Sequence, residues 1–306
     1  MSIPEPSPRL PPTEASKGVV AALISYGLWG FLPLLFRLLD SVGSVMIVAE
    51  RTLWSLILLG IILALMGGFG EVRALFADRR RALGTLFSAV LLAGNWLLYV
   101  WAVETGQVLE ASFGYFINPL VNVLIGMILL GERQNRLQTV SIGIAVVAIG
   151  IQAIGLGNIP FVALGLALSF GFYGYFRKTA QMGPASGLFA ETLMLSPAAL
   201  AFVGYTILTS GLGPHADPYL LMLLAFTGPA TAIPLLLFAF AIRRLRMTTI
   251  GMFQYLAPSI QFLVAIWLFG EHLSPLRLFS FALIWLSLAV FSYDSFRRRG
   301  QVAVPA

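Results

Sequence analysis

The chain has 306 residues, of which 58% are hydrophobic and only 10% charged, with a net charge of +6. A soluble protein carries roughly 25% charged residues, so this composition, with a mean hydropathy of +0.89, cannot cover a water-facing surface and identifies an integral membrane protein. Cysteine is absent and histidine occurs only at His215 and His272, which excludes disulfides, thiol chemistry and a histidine-based metal site, so no cofactor is expected.

Residues 1–17 hold five prolines and read as a disordered cytoplasmic tail. The apolar run that follows is too long for a signal peptide and shows no small-residue cleavage site, so it reads as a retained helix. A spanning helix needs about 20 apolar residues. Ten segments meet that requirement, near 18–39, 43–66, 82–103, 109–130, 137–156, 159–178, 187–208, 219–242, 249–269 and 276–294. A second tail is expected over 296–306. With the amino terminus in the cytoplasm, sixteen of the nineteen basic residues fall in inside segments, which predicts both termini inside. The positive charge therefore orients helices rather than binding nucleic acid.

The segments repeat. Phe253-Gln254-Tyr255-Leu256-Ala257-Pro258-Ser259-Ile260-Gln261 and the later Gly270-Glu271 lie 139 residues after Gly114 to Asn122, with Pro119, and Gly131-Glu132. Glu50 in span two matches Glu191 in span seven at an offset of 141, and Ser25 to Phe31 matches Ser169 to Tyr175 at 144. Five spans are an odd number, so the second copy enters the membrane from the opposite side. The expected architecture is an all-α membrane protein of ten transmembrane helices in two inverted five-helix repeats, 18–156 and 157–295. Inverted repeats are characteristic of secondary transporters, with a solute site near the midplane. A duplication kept only for packing would leave the same pattern.

Helical spacing gives candidate interior faces. Tyr115, Asn118 and Asn122 share a face of span four, Gln254 and Gln261 take equivalent places in span nine, and Asn95 and Tyr99 share a face of span three. Ser25 and Trp29 in span one match Ser169 and Tyr173 in span six. Each amide reads either as a ligand contact or as a bond between helices, and each serine either as a cavity hydroxyl or as bonded to its own helix. Glu50, Arg51 and Glu191 lie within spans, where a charge costs at least about 2.5–3.5 kcal/mol. They read as a proton carrier or substrate counter-charge, or as buried or snorkelling pairs. Glu110 reads as interfacial, and Glu132 and Glu271 as structural ends of their helices. Pro119, Pro234 and Pro258 are candidate flexure points.

No G-x-x-x-x-G-K-[ST] run is present, so the chain is not expected to hydrolyse ATP. No nucleophile–base pair stands out, and the chain is not read as an enzyme.

Glu50-Arg51-Thr52-Leu53-Trp54-Ser55, Gly94-Asn95-Trp96-Leu97-Leu98-Tyr99 and Leu109 to Asn122 closely resemble the RarD family, as do Phe253-Gln254-Tyr255, Ala257-Pro258-Ser259, and Tyr173-Gly174 with Arg177-Lys178. These are EamA-type transporters of the drug/metabolite transporter superfamily, and the likeness runs from about residue 17 to 299. The family usually carries His where Glu50 stands. The resemblance implies ten helices in two EamA repeats, a bacterial inner membrane, and a permease or exporter of amino acids, related metabolites or drugs such as chloramphenicol. The expected partners are a small-molecule substrate and the lipid bilayer. Proton coupling and a homodimer stay open. A non-transporting scaffold or sensor and an intramembrane carboxylate enzyme are the alternatives.

Overall fold

The computed structural model describes residues 12–104, 108–154, 161–267 and 275–301, and every regular element among them is helical. In chain order these are α1 (Pro12–Leu38), α2 (Ser44–Met66), α3 (Phe69–Ala77), α4 (Arg79–Glu104), α5 (Val108–Ile128), α6 (Arg136–Ile154), α7 (Phe161–Thr179), α8 (Pro184–Ser210), a one-turn 3-10 helix (Gly213–Ala216), α9 (Pro218–Ile242), α10 (Met247–Gln254), α11 (Leu256–Trp267) and α12 (Pro275–Gln301). Each of the ten predicted segments has a helical counterpart, and α1, α2, α4, α8 and α9 are long and apolar enough to cross a membrane. Leu65, Ile154 and Leu208 are 84%, 84% and 88% exposed, a surface that suits lipid and not water.

Four details depart from the sequence expectation. Helix α1 begins at Pro12, inside the expected tail, and Pro suits a first helical position because its missing N–H would have no partner there. Helix α12 continues to Gln301, into the expected carboxy-terminal tail. The connection after α2 contains α3, which buries Val72 and Leu75 at helical spacing. The ninth segment breaks in two at Tyr255. Pro258 causes that break, because it cannot donate to the Gln254 carbonyl and its ring crowds that carbonyl. Pro119 lies inside α5 without interrupting it.

The helices pair across the two halves. Helix α1 packs on α9 and α11, α2 on α8 and α9, α4 on α7 and α8, α5 on α7 and α10, and α6 on α12. Exchange α1 with α7, α2 with α8, α4 with α9, α5 with α10–α11 and α6 with α12, and this set of pairs maps onto itself. The fold therefore has the internal two-fold rule that the repeat predicted. The halves interlock rather than stand side by side.

Helix association in lipid depends on close packing and hydrogen bonds rather than on water exclusion. Gly251 shows the close packing: a Cβ there would lie 2.5 Å from the Pro119 carbonyl oxygen, so only glycine allows α10 to approach α5 this closely. Glu132 supplies the hydrogen bonding. Its carboxylate accepts from the backbone N–H groups of Met247 (2.6 Å) and Thr248 (3.0 Å) and from the Thr248 hydroxyl (2.7 Å). The end of α5 thus satisfies the open amino terminus of α10, which has no cap from its own Arg246 side chain. The equivalent Glu271 lies outside the described residues.

Candidate functional site

Helices α5 and α10 meet at the internal two-fold, and three of the five predicted amides lie there. Spacing of three and four places Asn118 and Asn122 on one face of α5, and that face is buried: Asn118 is 4% exposed, Asn122 1% and Gln254 7%. Asn122 Nδ2 donates to Gln254 Oε1 at 2.6 Å. The Oδ1 atoms of Asn118 and Asn122 are buried with no hydrogen-bond partner, as is the hydroxyl of Tyr255 at the helix break. A buried polar atom left unpaired costs about 1–3 kcal/mol. These orphans are poor structural elements and good candidates for ligand contacts.

The other predicted amides serve neighbouring helices. Asn95 Nδ2 donates to the Leu166 carbonyl and to Ser169 Oγ, both at 2.9 Å, and ties α4 to α7. Gln261 Nε2 donates to the Trp29 carbonyl at 3.2 Å and ties α11 to α1. Ser169 bonds back to its own helix at Gly165 (2.7 Å), whereas Ser25 donates across to the Pro234 carbonyl of α9 (2.7 Å). Trp29, Phe170, Tyr173 and Phe238 gather in one aromatic cluster between α1, α7 and α9, with ring centroids 5.5–6.3 Å apart. Tyr99 and Tyr115 form a separate ring pair at 5.9 Å.

The three charged residues part company. Glu191 of α8 accepts from Ser88 Oγ of α4 at 2.7 Å and from Tyr173 Oη of α7 at 3.3 Å. It lies 3.7 Å from Arg177 Nη1, with both side chains at 3% exposure or less. Arg177 also donates to the Pro184 carbonyl at 3.0 Å. Gly187 makes the seat, since a Cβ there would stand 2.0 Å from Arg177 Nη1. Glu50 turns to the other end of the protein. It accepts from Trp54 Nε1 at 2.9 Å and lies 2.7 Å from His215 Nε2 in the 3-10 turn. His215 Nδ1 lies 3.0 Å from the Leu212 carbonyl, so both ring nitrogens face acceptors, an arrangement that favours the protonated ring. Arg51 stacks on Trp96 at 4.0 Å, and its Nε is buried without a partner.

A cavity of about 640 Å³ opens among the ends of α1, α2, α8 and α9, lined by Met66, Pro184, Leu237, Phe240, Arg243 and Arg244 among others. None of the predicted amides lines it. Asn118, Asn122 and Gln254 are buried away from it. Pro119 and Pro258 flank the cluster, and Pro234 sits in α9 where Ser25 reaches it.

Sequence reasoning missed Arg177, Ser88, His215 and Tyr255. Arg177 had a signal: it stands four residues after Tyr173, on the same helix face. The side chain of Glu110, and all of Glu271 and His272, lie outside the described residues.

Residues 16–153 match the EamA-like transporter family. The chain is 42% identical over 291 residues to an uncharacterized transporter of Pseudomonas aeruginosa, covering 94% of this chain and 97% of that one. It is 38% identical over 285 residues to Protein RarD of Escherichia coli K12, covering 92% and 96%. A protein of known crystal structure shares the fold at a TM-score of 0.69 and 18% identity, over 91% of this chain and 96% of that chain.

Proposed function

The chain belongs to the EamA-like transporter family, in its RarD-type branch, and from that premise we propose a secondary transporter of small organic solutes that works by alternating access. The solute site is the buried face where Asn118 and Asn122 of α5 meet Gln254 of α10. The observation that carries this reading is the pair of orphaned amide oxygens at the internal two-fold, next to a helix broken by proline. Tyr115, Tyr99 and Tyr173 supply aromatic walls. Asn95 and Gln261 hold α4 and α11 in place around the site. Pro119, Pro234 and Pro258 let helices bend as the site opens to one side and then the other.

The ten apolar helical segments cross the bacterial inner membrane as two inverted repeats with both termini in the cytoplasm. The exchange of helix pairs under the two-fold and the bias of arginine and lysine toward one set of loops support this orientation. Amino acids, related metabolites and amphenicol drugs are the substrate classes to test, with export as the direction. Such a permease has no catalytic chemistry of its own.

The test is flux. Asn118→Leu and Asn122→Leu in proteoliposomes should lose solute counterflow while staying monodisperse and membrane-inserted. Counterflow equal to the unsubstituted protein in both variants would remove the amide face from the mechanism.

A further inference from the structure

Arg51 is, among the described residues, a cation without a counter-charge. Among the described residues no carboxylate or hydrogen-bond acceptor pairs with it, and its Nε is buried. The membrane-embedded carboxylates nearest in role are taken: Glu50 by His215 and Trp54, Glu191 by Arg177 and Ser88. An interior guanidinium is retained only where pairing or ligand binding offsets its desolvation. Trp96 covers its flat face at 4.0 Å. The guanidinium edge is a planar fork matched to a carboxylate.

The surroundings extend the site already described. Trp96 packs against the same central core as Trp29, Ile117 and Phe253. Tyr115 is within electrostatic reach of Arg51, is 37% exposed, and pairs its ring with Tyr99. Tyr115 also shares its helix face with Asn118 and Asn122. A cation, an aromatic shelf and the amide face therefore succeed one another from α2 through α4 to α5.

We propose that the transported solute is a small organic anion whose carboxylate docks on the guanidinium edge of Arg51, with an apolar or aromatic body against Trp96, Tyr99 and Tyr115. This rests on the transporter reading of the same site. It adds a driving force: an inside-negative membrane potential pushes a net-negative solute outward, so export needs no coupling ion.

Matched acid and amide pairs test it on the intact protein in detergent. N-acetylphenylalanine and mandelate at millimolar concentration should raise the melting temperature by about 2–4 °C, while N-acetylphenylalaninamide and mandelamide should not. Arg51→Gln should abolish the acid response, and Arg51→Lys should keep a reduced one because the charge stays and the fork is lost. Amides as effective as acids, no response to either acid, or an intact response in Arg51→Gln would each overturn the assignment. The comparison in the unsubstituted protein stands even if a variant fails to fold. Proteoliposome counterflow separates this from the transporter reading. Movement of neutral chloramphenicol with no movement of N-acetylphenylalanine leaves a transporter and sinks the anion. Acid binding with no counterflow of the same acid leaves the anion site and sinks transport.

Discussion

Glu50 and Glu191 occupy equivalent positions in the two halves, 141 residues apart, yet they live in different chemistry. Glu191 is sealed among Ser88, Tyr173 and Arg177 from two other helices, with an arginine as its partner cation. Glu50 faces a histidine on a short turn, a partner that gains and loses its proton near neutrality. The two copies thus carry a carboxylate at one helical position and differ in what answers it. One copy became a permanent clasp in the interior, the other a pH-dependent latch on a loop.

The largest expected effect breaks the clasp. Glu191→Leu strands Arg177 in the interior and should cost about 3–5 kcal/mol, read as a fall in melting temperature or loss of the monodisperse peak in detergent. Arg177→Met combined with Glu191→Leu should recover most of that loss, because no bare charge remains. Gly187→Ala comes next. Its Cβ would displace Arg177 Nη1, found 2.0 Å from that point, and should cost about 1–3 kcal/mol. Glu132→Gln sharpens the comparison with a third carboxylate, one that answers backbone N–H groups and the Thr248 hydroxyl and has Arg246 Nε 3.6 Å away. Losing the charge at the start of α10 should cost about 1 kcal/mol, seen as a small drop in melting temperature.

The latch gives the smallest effect and a distinct signature. Burial disfavours the charged His215 ring, but the hydrogen bond to Glu50, the Leu212 carbonyl and the Glu50 charge outweigh it and raise the pKa above the ordinary 6.5. The folded value is raised, so the stability from this pair is complete at low pH and is lost as pH rises through the raised value. Melting temperature should fall slightly over that window, by the equivalent of about 1 kcal/mol or less. In His215→Gln this portion of the pH dependence should vanish.

The sequence carried the helices well because twenty-residue apolar runs separated by glycine, proline and arginine admit few other readings. It carried the repeat through the Pro119 and Pro258 registers. It did not show that Pro258 would split its helix while Pro119 would not, since that depends on what α5 and α10 pack against. Arg177 beside Lys178 looked like a loop marker, because inward rotation of an arginine at a helix end leaves no trace in composition. Helix α3 was hidden because its charges masked two buried apolar residues one turn apart. The amide stripes were visible as stripes, but only packing separates Asn95 and Gln261, which bond to neighbouring helices, from Asn118 and the Oδ1 of Asn122, which lack partners.

The interlocked helix pairs bear on how the chain is made. A five-helix copy emerging from the ribosome has its principal neighbours still unsynthesised, so α1 must wait in lipid for α9 and α11, and α4 for α7 and α8. Neither copy is a finished body, and tertiary closure comes late, when the last third of the chain arrives. Severing the connection between α6 and α7 should yield two inert fragments that regain a common structure only when made in the same membrane.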